Sequence, residues 1–406
     1  MVHKKEAALR HSEHYLTTLR ALGDQYEVGG EISAQAITAL SDEWQQIQIG
    51  ANCVISMSTE SRARSLCSAY STAAPSLLGL RQVVADRIRW LQAALECSRS
   101  IPDESEEALH LANLGITYED IGLFRESVEY LEAALKIYRR RSDSKNESIY
   151  LGQLALAHIG LAEYEVAIKH LETALALAEN EDDETIEGQH LGNLGLAYGY
   201  VARYEEALQL HRRALEIDRR AGHKRGEARD LGNIGFVHYH LSQYEEARDY
   251  FEQALQISRE IKDLAGEALD LGNLGATYRE LDQTDLALAT SKEALELARK
   301  NGDLDGEGMN LSNIGDLLKD SGLYQDAIKH FTDALRLAEK IGDRRGEHAR
   351  LTKLSSVYLE LGDLSQALEA GRRAYEIAVA NGDKEGESES RAVLAEINVK
   401  SGSEAD

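Results

Sequence analysis

The apolar positions of this chain follow the helical period over most of its length. Leu231, Ile234, His238 and Leu241 fall at i, i+3, i+7 and i+10, one face of a helix. After a short turn at Ser242 and Gln243, Tyr244, Ala247, Phe251, Ala254, Leu255 and Ile257 form the stripe of a second helix. The small alanines in that stripe permit close helix approach. The pair of patterns recurs every forty residues. Asn113, Asn193, Asn233, Asn273 and Asn313 share one register, with Gln153 and Lys353 in the two remaining places. Gly115, Gly195, Gly235, Gly275 and Gly315 follow two residues later. Tyr118, His158, Tyr198, His238, Tyr278 and Tyr358 keep the same step, as does the alanine series from Ala134 to Ala374. No insertion disturbs the register between 111 and 386.

The connections between units are as regular as the helices. Segments 261–267, 301–307, 341–347 and 381–387 each carry an Asp suited to a helix N-cap (Asp263, Asp303, Asp343, Asp383) and a Glu for the first turn. The pattern therefore predicts an all-α array of paired helices from about residue 64 to 400, with no sheet.

The motif L-G-x-x-Y, then Y-E-E-A, then A-L-x-I, repeated seven times over roughly 104–390, resembles the tetratricopeptide repeat of the forty-residue, kinesin-light-chain-like variety. The resemblance implies a right-handed superhelix (an α-solenoid) of seven tandem units over 104–384, with first helices lining its concave face. The family's common Pro after the second helix is absent, which predicts longer second helices closed by Gly/Asp turns. Segment 89–100 aligns with 129–140 at the forty-residue offset, so a degenerate unit is expected over 64–103, its first helix near 65–80 and Pro75 standing where Gly115 would be. Segment 386–400 reads as a capping helix within 385–406, and SGSEAD as a frayed tail.

Residues 1–63 do not repeat. Helical patterning around 7–22 and 32–47, broken at Val28-Gly29-Gly30, is similar to the connector before the repeats of bacterial STAND regulatory NTPases. That likeness implies a sensor fragment of an ATP-dependent switch, or a relative without the switch.

Composition narrows the partners. The formal net charge is -25, which argues against nucleic acid, since a phosphate backbone wants a basic face. The exception is 212–229, with Arg213, Arg219, Arg220, Lys224 and Arg225. Cys53, Cys67 and Cys97 are odd in number and lack CxxC spacing, so reduced thiols in a cytoplasmic setting are the simplest reading. No apolar run reaches transmembrane length and no secretory leader is evident at the start of the sequence, so no membrane partner is expected. Oligomeric state is open.

The chemistry expected is binding. The chain has no Walker A phosphate cradle, no GxSxG and no HExxH, so neither an enzyme nor a cofactor is expected. His11 and His14 read as exposed polar residues, segment 301–308 as a helix cap and not a calcium loop, and His158 and His238 as packing variants of the tyrosine slot. Asn193, Asn233, Asn273 and Asn313 project from the lining helices; an amide offers one acceptor and two donors, matching a peptide unit, so the column suits a peptide or protein segment. Gly235 and its equivalents are expected to serve packing, whereas Gly152, Gly192, Gly232 and Gly272 are expected to open space on the groove side. Other groove positions are Gln189, Tyr200, Arg229, Phe236, Tyr239, His240, Arg279, Glu280, Asp316 and Lys319. Phe236 and Tyr239 flanked by Arg229 and Arg279 form the expected hot spot. Self-association through the N-terminal helices is a further alternative.

Overall fold

The computed structural model describes residues 2–403, except 29, 59, 75–76, 78–83, 101–103, 182 and 382. Pro75, Pro102, Gly29 and the last residues of SGSEAD lie outside the described residues. Among those described there are 19 helices and no strand.

Seven helix pairs follow one another at the forty-residue step, from Glu104–Asp120 with Phe124–Arg140 to Arg344–Glu360 with Leu364–Asn381. The second helices hold 17 or 18 residues against 17 for the first. A left-handed residue ends the helix, at the Gly/Asp turns expected from the sequence in several units. Gly222, Gly302 and Gly342 have φ of 72°, 70° and 76°, and Ser142 and Lys262 adopt the same region without a glycine. Asp263, Asp303, Asp343 and Asp383 then cap the next helix, accepting from the amide three residues on. For Asp303 this makes segment 301–308 a capped turn.

Each first helix is flanked by its own second helix, the preceding second helix and neighbouring first helices, so it buries residues around most of its circumference. The two glycine series mark two of these interfaces. A Cβ on Gly115, Gly235 or Gly315 would lie within 3.0 Å of Leu131, Phe251 or Phe331 on the paired helix. A Cβ on Gly152 would lie 2.7 Å from His190, and one on Gly272 3.0 Å from Asn310, both on the next first helix. The first series packs as expected. The second does not open a groove: the space beside it is taken by side chains of the next first helix.

Helices Val2–Val28 and Gly30–Ser56 form a hairpin against which Ser61–Thr72 and Val84–Ser100 pack. Their shared core includes Leu19, Leu40, Ile47, Tyr70 and Trp90. The Tyr70 hydroxyl donates to the Ser12 carbonyl at 2.7 Å, beside Gly50. The described part of the helix expected near 65–80 is Ser61–Thr72, and the last helix runs Lys384–Ser403, into the segment expected to fray. The basic stretch 212–229 is neutralised locally: Arg219 meets Glu227, Arg220 meets Glu184, and Arg225 meets Asp263.

Candidate functional site

The array curls far enough for distant units to meet. The turn carrying Gly122 reaches the segment 342–344, where an added Cβ would lie 3.5 Å from the Arg344 amide. First helices of the third and fourth units thus face those at the C-terminal end across a channel.

An aromatic wall lines one side. Tyr200 stacks on Tyr164 at 5.2 Å between ring centres and meets Phe236 edge-on at 6.5 Å. Phe236 and His240 are 4.3 Å apart, and Tyr239 lies 5.7 Å from His240. Tyr164, Tyr200 and Phe236 are spaced by 36 residues, one repeat less one helical turn, and Phe236 and His240 by a single turn, which is why the fold brings them together. Across the channel stand Arg345, His348, Asp383 and Glu389, lining with Tyr200, Tyr204, Phe236 and His240 a half-open cavity of about 360 Å³. The Arg345 guanidinium sits over the Tyr200 ring at 5.7 Å, within cation–π range. Arg345, His348 and Glu389 escaped the sequence reading, and Asp383 was read only as a helix cap. No local signal marks them as channel residues, because they reach the site only through the turn of the whole array.

The two arginines expected to flank the aromatics have other partners. Arg229 lies 3.4 Å from Asp230 and 3.6 Å from Asp218. Arg279 pairs with Glu280 at 2.7 Å, and lies 3.5 Å from Asp316 and 3.6 Å from Asp320. Tyr239 also donates to Glu280, at 3.4 Å, and Lys319 donates to Ser356. Neither guanidinium therefore faces the aromatics as a free charge.

The asparagine column is half-buried along the lining. Asn313 donates a long 3.4 Å bond to the Gly272 carbonyl of the preceding unit, so one member of the column spans neighbouring first helices. His158 stacks on His170 at 5.3 Å and His238 on Tyr250 at 5.2 Å, as Tyr118 does on Tyr130; these histidines fill the tyrosine slot as packing residues.

Burial in the curled array shifts several acids. Burial, with Asp120 adjacent, raises Glu119 to about 8. Asp230 and Asp270 are raised to about 7, again chiefly by burial. Burial also depresses His240 on the channel wall. Among the described residues no cluster has the donors for a metal ion, and no helix is long and apolar enough to cross a membrane.

Comparison with known proteins decides the family. A tetratricopeptide repeat model matches residues 146–220, 228–300 and 308–380, and a second matches 108–142. The chain belongs to the tetratricopeptide repeat family. No curated protein matches it. Among solved structures it is similar to a Rap protein complexed with competence and sporulation factor, at 17% identity and a TM-score of 0.61, over 93% of this chain and 99% of that one. It is also similar to aspartyl phosphate phosphatase F from Bacillus subtilis, at 16% identity and a TM-score of 0.54, over 79% of each chain. A third is the signal transduction ATPase (STAND) with a tetratricopeptide repeat sensor from Pyrococcus horikoshii, at 18% identity and a TM-score of 0.51, over 91% of this chain and 55% of that one. Identities this low establish a shared fold. They leave binding and catalysis to be argued from the site.

Proposed function

We propose that this tetratricopeptide repeat protein is a non-enzymatic sensor or scaffold in cytoplasmic signalling that holds a peptide or protein segment in its concave channel. The observation that carries the reading is the aromatic wall of Tyr200, Phe236 and His240 facing Arg345, Asp383 and Glu389 across a half-open cavity. An extended chain presents alternating side chains and a repeating backbone amide. The cavity suits one side chain as an anchor, and Asn193, Asn233 and Asn273 supply amides along the approach. The Rap likeness, a complex with a factor, supports the same use of the fold.

The test works with an unidentified ligand. Random ten-residue peptides displayed on phage are panned against the intact chain, and enriched sequences are titrated against wild type and Tyr200→Ala/Phe236→Ala. Loss of an aromatic anchor should weaken binding by about ten-fold or more, some 1.4 kcal/mol. Failure to enrich any peptide, or equal affinity for both proteins, would end the reading. A quadruple replacement of Asn193, Asn233, Asn273 and Asn313 by alanine separates the column from the anchor. Unchanged affinity would make the column structural, and a loss of about 0.5–1.5 kcal/mol per hydrogen bond would make it a binding surface.

A second reading has its own observation. The likeness to the STAND protein runs through nearly all of this chain but about half of the other, which fits a sensor part acting on a switch. Stoichiometric ATP binding by this chain itself would contradict a switch located elsewhere.

A further inference from the structure

A second cavity, of about 460 Å³, lies where the N-terminal hairpin meets the start of the repeats. Its wall is an unusual helix face. Ser61, Arg64, Ser65 and Ser68 fall at i, i+3, i+4 and i+7 of the helix Ser61–Thr72, so one face carries a guanidinium between hydroxyls. Arg20 converges on the same space from the first helix, and Glu106 and His110 enter it from the helix Glu104–Asp120.

This is an acidic chain in which arginines habitually meet carboxylates. Arg62, on the same helix, lies 3.1 Å from Glu6 and 2.7 Å from Glu13. Arg64 has its Nε buried without a hydrogen-bond partner. Among the described residues no carboxylate lies within ion-pair distance of Arg64 or Arg20. Other arginines among them also lack a carboxylate partner, Arg345 on the channel included, but Arg64 combines that lack with a buried, unpartnered nitrogen. A buried guanidinium nitrogen left unpaired is costly, and arginine is seldom buried without an anion. The other end of the cavity differs. Glu106 accepts from Ser68, and its carboxylate lies 3.3 Å from His110 Nε2. That end favours hydroxyl or amine donors and repels a second anion.

We propose that this cavity binds a small phosphomonoester, its phosphate held by Arg64 and Arg20 with the Ser61 and Ser65 hydroxyls, and its hydroxyl-bearing body directed toward Glu106 and His110. The guanidinium fork matches phosphate oxygens in pairs. The volume exceeds that of a bare anion and falls in the range of small-molecule sites. The site is separate from the channel, so the two ideas stand or fall independently.

Ribose 5-phosphate is the probe, titrated calorimetrically into the full chain at fixed ionic strength. The wild type should give saturable binding, and Arg20→Gln/Arg64→Gln should bind about ten-fold more weakly or worse. Arg10→Gln, which alters an exposed arginine paired with Glu6, should bind as wild type does. If the double variant misfolds, phenylglyoxal labelling of the wild type decides. Ribose 5-phosphate should protect Arg64 but not the remote, exposed Arg336, whereas sodium chloride at equal ionic strength should protect neither. Equal titrations for wild type and a folded double variant, absence of saturable heat, or Arg64 labelling indifferent to the sugar phosphate would each overturn the proposal.

Discussion

Gly315 and Gly199 both sit in first helices, yet alanine should act on them in opposite directions. At Gly199 an added Cβ meets nothing within 4 Å, so Gly199→Ala should gain up to about 1 kcal/mol of helix propensity. At Gly315 the same Cβ would fall 2.6 Å from the fully buried Phe331 ring. Overpacking of about 1–3 kcal/mol should outweigh the propensity gain, and chemical denaturation of the two variants reads the difference. Asp230 offers a pH-dependent case. It is fully buried beside Arg229 and Asp218, and its folded pKa of about 7 lies above the unfolded value near ~3.9. A raised carboxyl pKa stabilises the folded state below the unfolded pKa, and that contribution is lost as pH rises through 7. Asp230→Asn keeps the neutral form throughout. Its stability relative to wild type should therefore rise between pH 5 and pH 8 by at least about 1 kcal/mol. A pH-independent difference would mean that Arg229 keeps Asp230 ionised in the fold.

At the level of elements, what the sequence pattern showed was the local part. The forty-residue register, the pairing of helices and the Asp caps depend on residues within one unit and its two connections, so one unit's pattern suffices to read them. The role of Gly152 and Gly272 was misread because their contacts, His190 and Asn310, belong to the next unit's first helix. The partners of Arg229 and Arg279 were missed for a related reason: a groove position predicts exposure but not which carboxylate bends toward it. The last helix, Lys384–Ser403, shows the element logic plainly. Ile397 covers Leu359 and Ala367, and His348 Nε2 lies 2.9 Å from Ser390 Oγ. Removing residues 384–406 should strip the outer face of the final pair. In a quasi-linear array the loss should stay local. Hydrogen exchange is expected to accelerate across 344–381 while 104–300 keeps its protection. Uniform loss of protection would instead mean that the array unfolds as one cooperative unit.

For the whole molecule, the determining feature is how firmly the curl is held. Each unit adds a small rotation, and the accumulated turn brings the segment at Gly122 against 342–344 and Arg345 over Tyr200. Those contacts are small beside the interfaces within the array. Opposing them is the self-repulsion of a chain whose formal net charge is -25. The repulsion is long-range, so it is screened as the Debye length falls from about 30 Å at 0.01 M salt to about 3 Å at 1 M. Small-angle scattering on the ligand-free protein should therefore show the radius of gyration shrinking as salt rises over this range, with helix content unchanged by circular dichroism. Arg345→Ala removes one attraction across the channel and should enlarge the low-salt radius further. A channel ligand that contacts both walls should close the array at low salt, giving the high-salt radius without added ions. A radius indifferent to salt in wild type and variant alike would show that packing between successive units fixes the curl alone. The channel would then be a preformed receptor, and its aromatic wall would set affinity without any coupled change of shape.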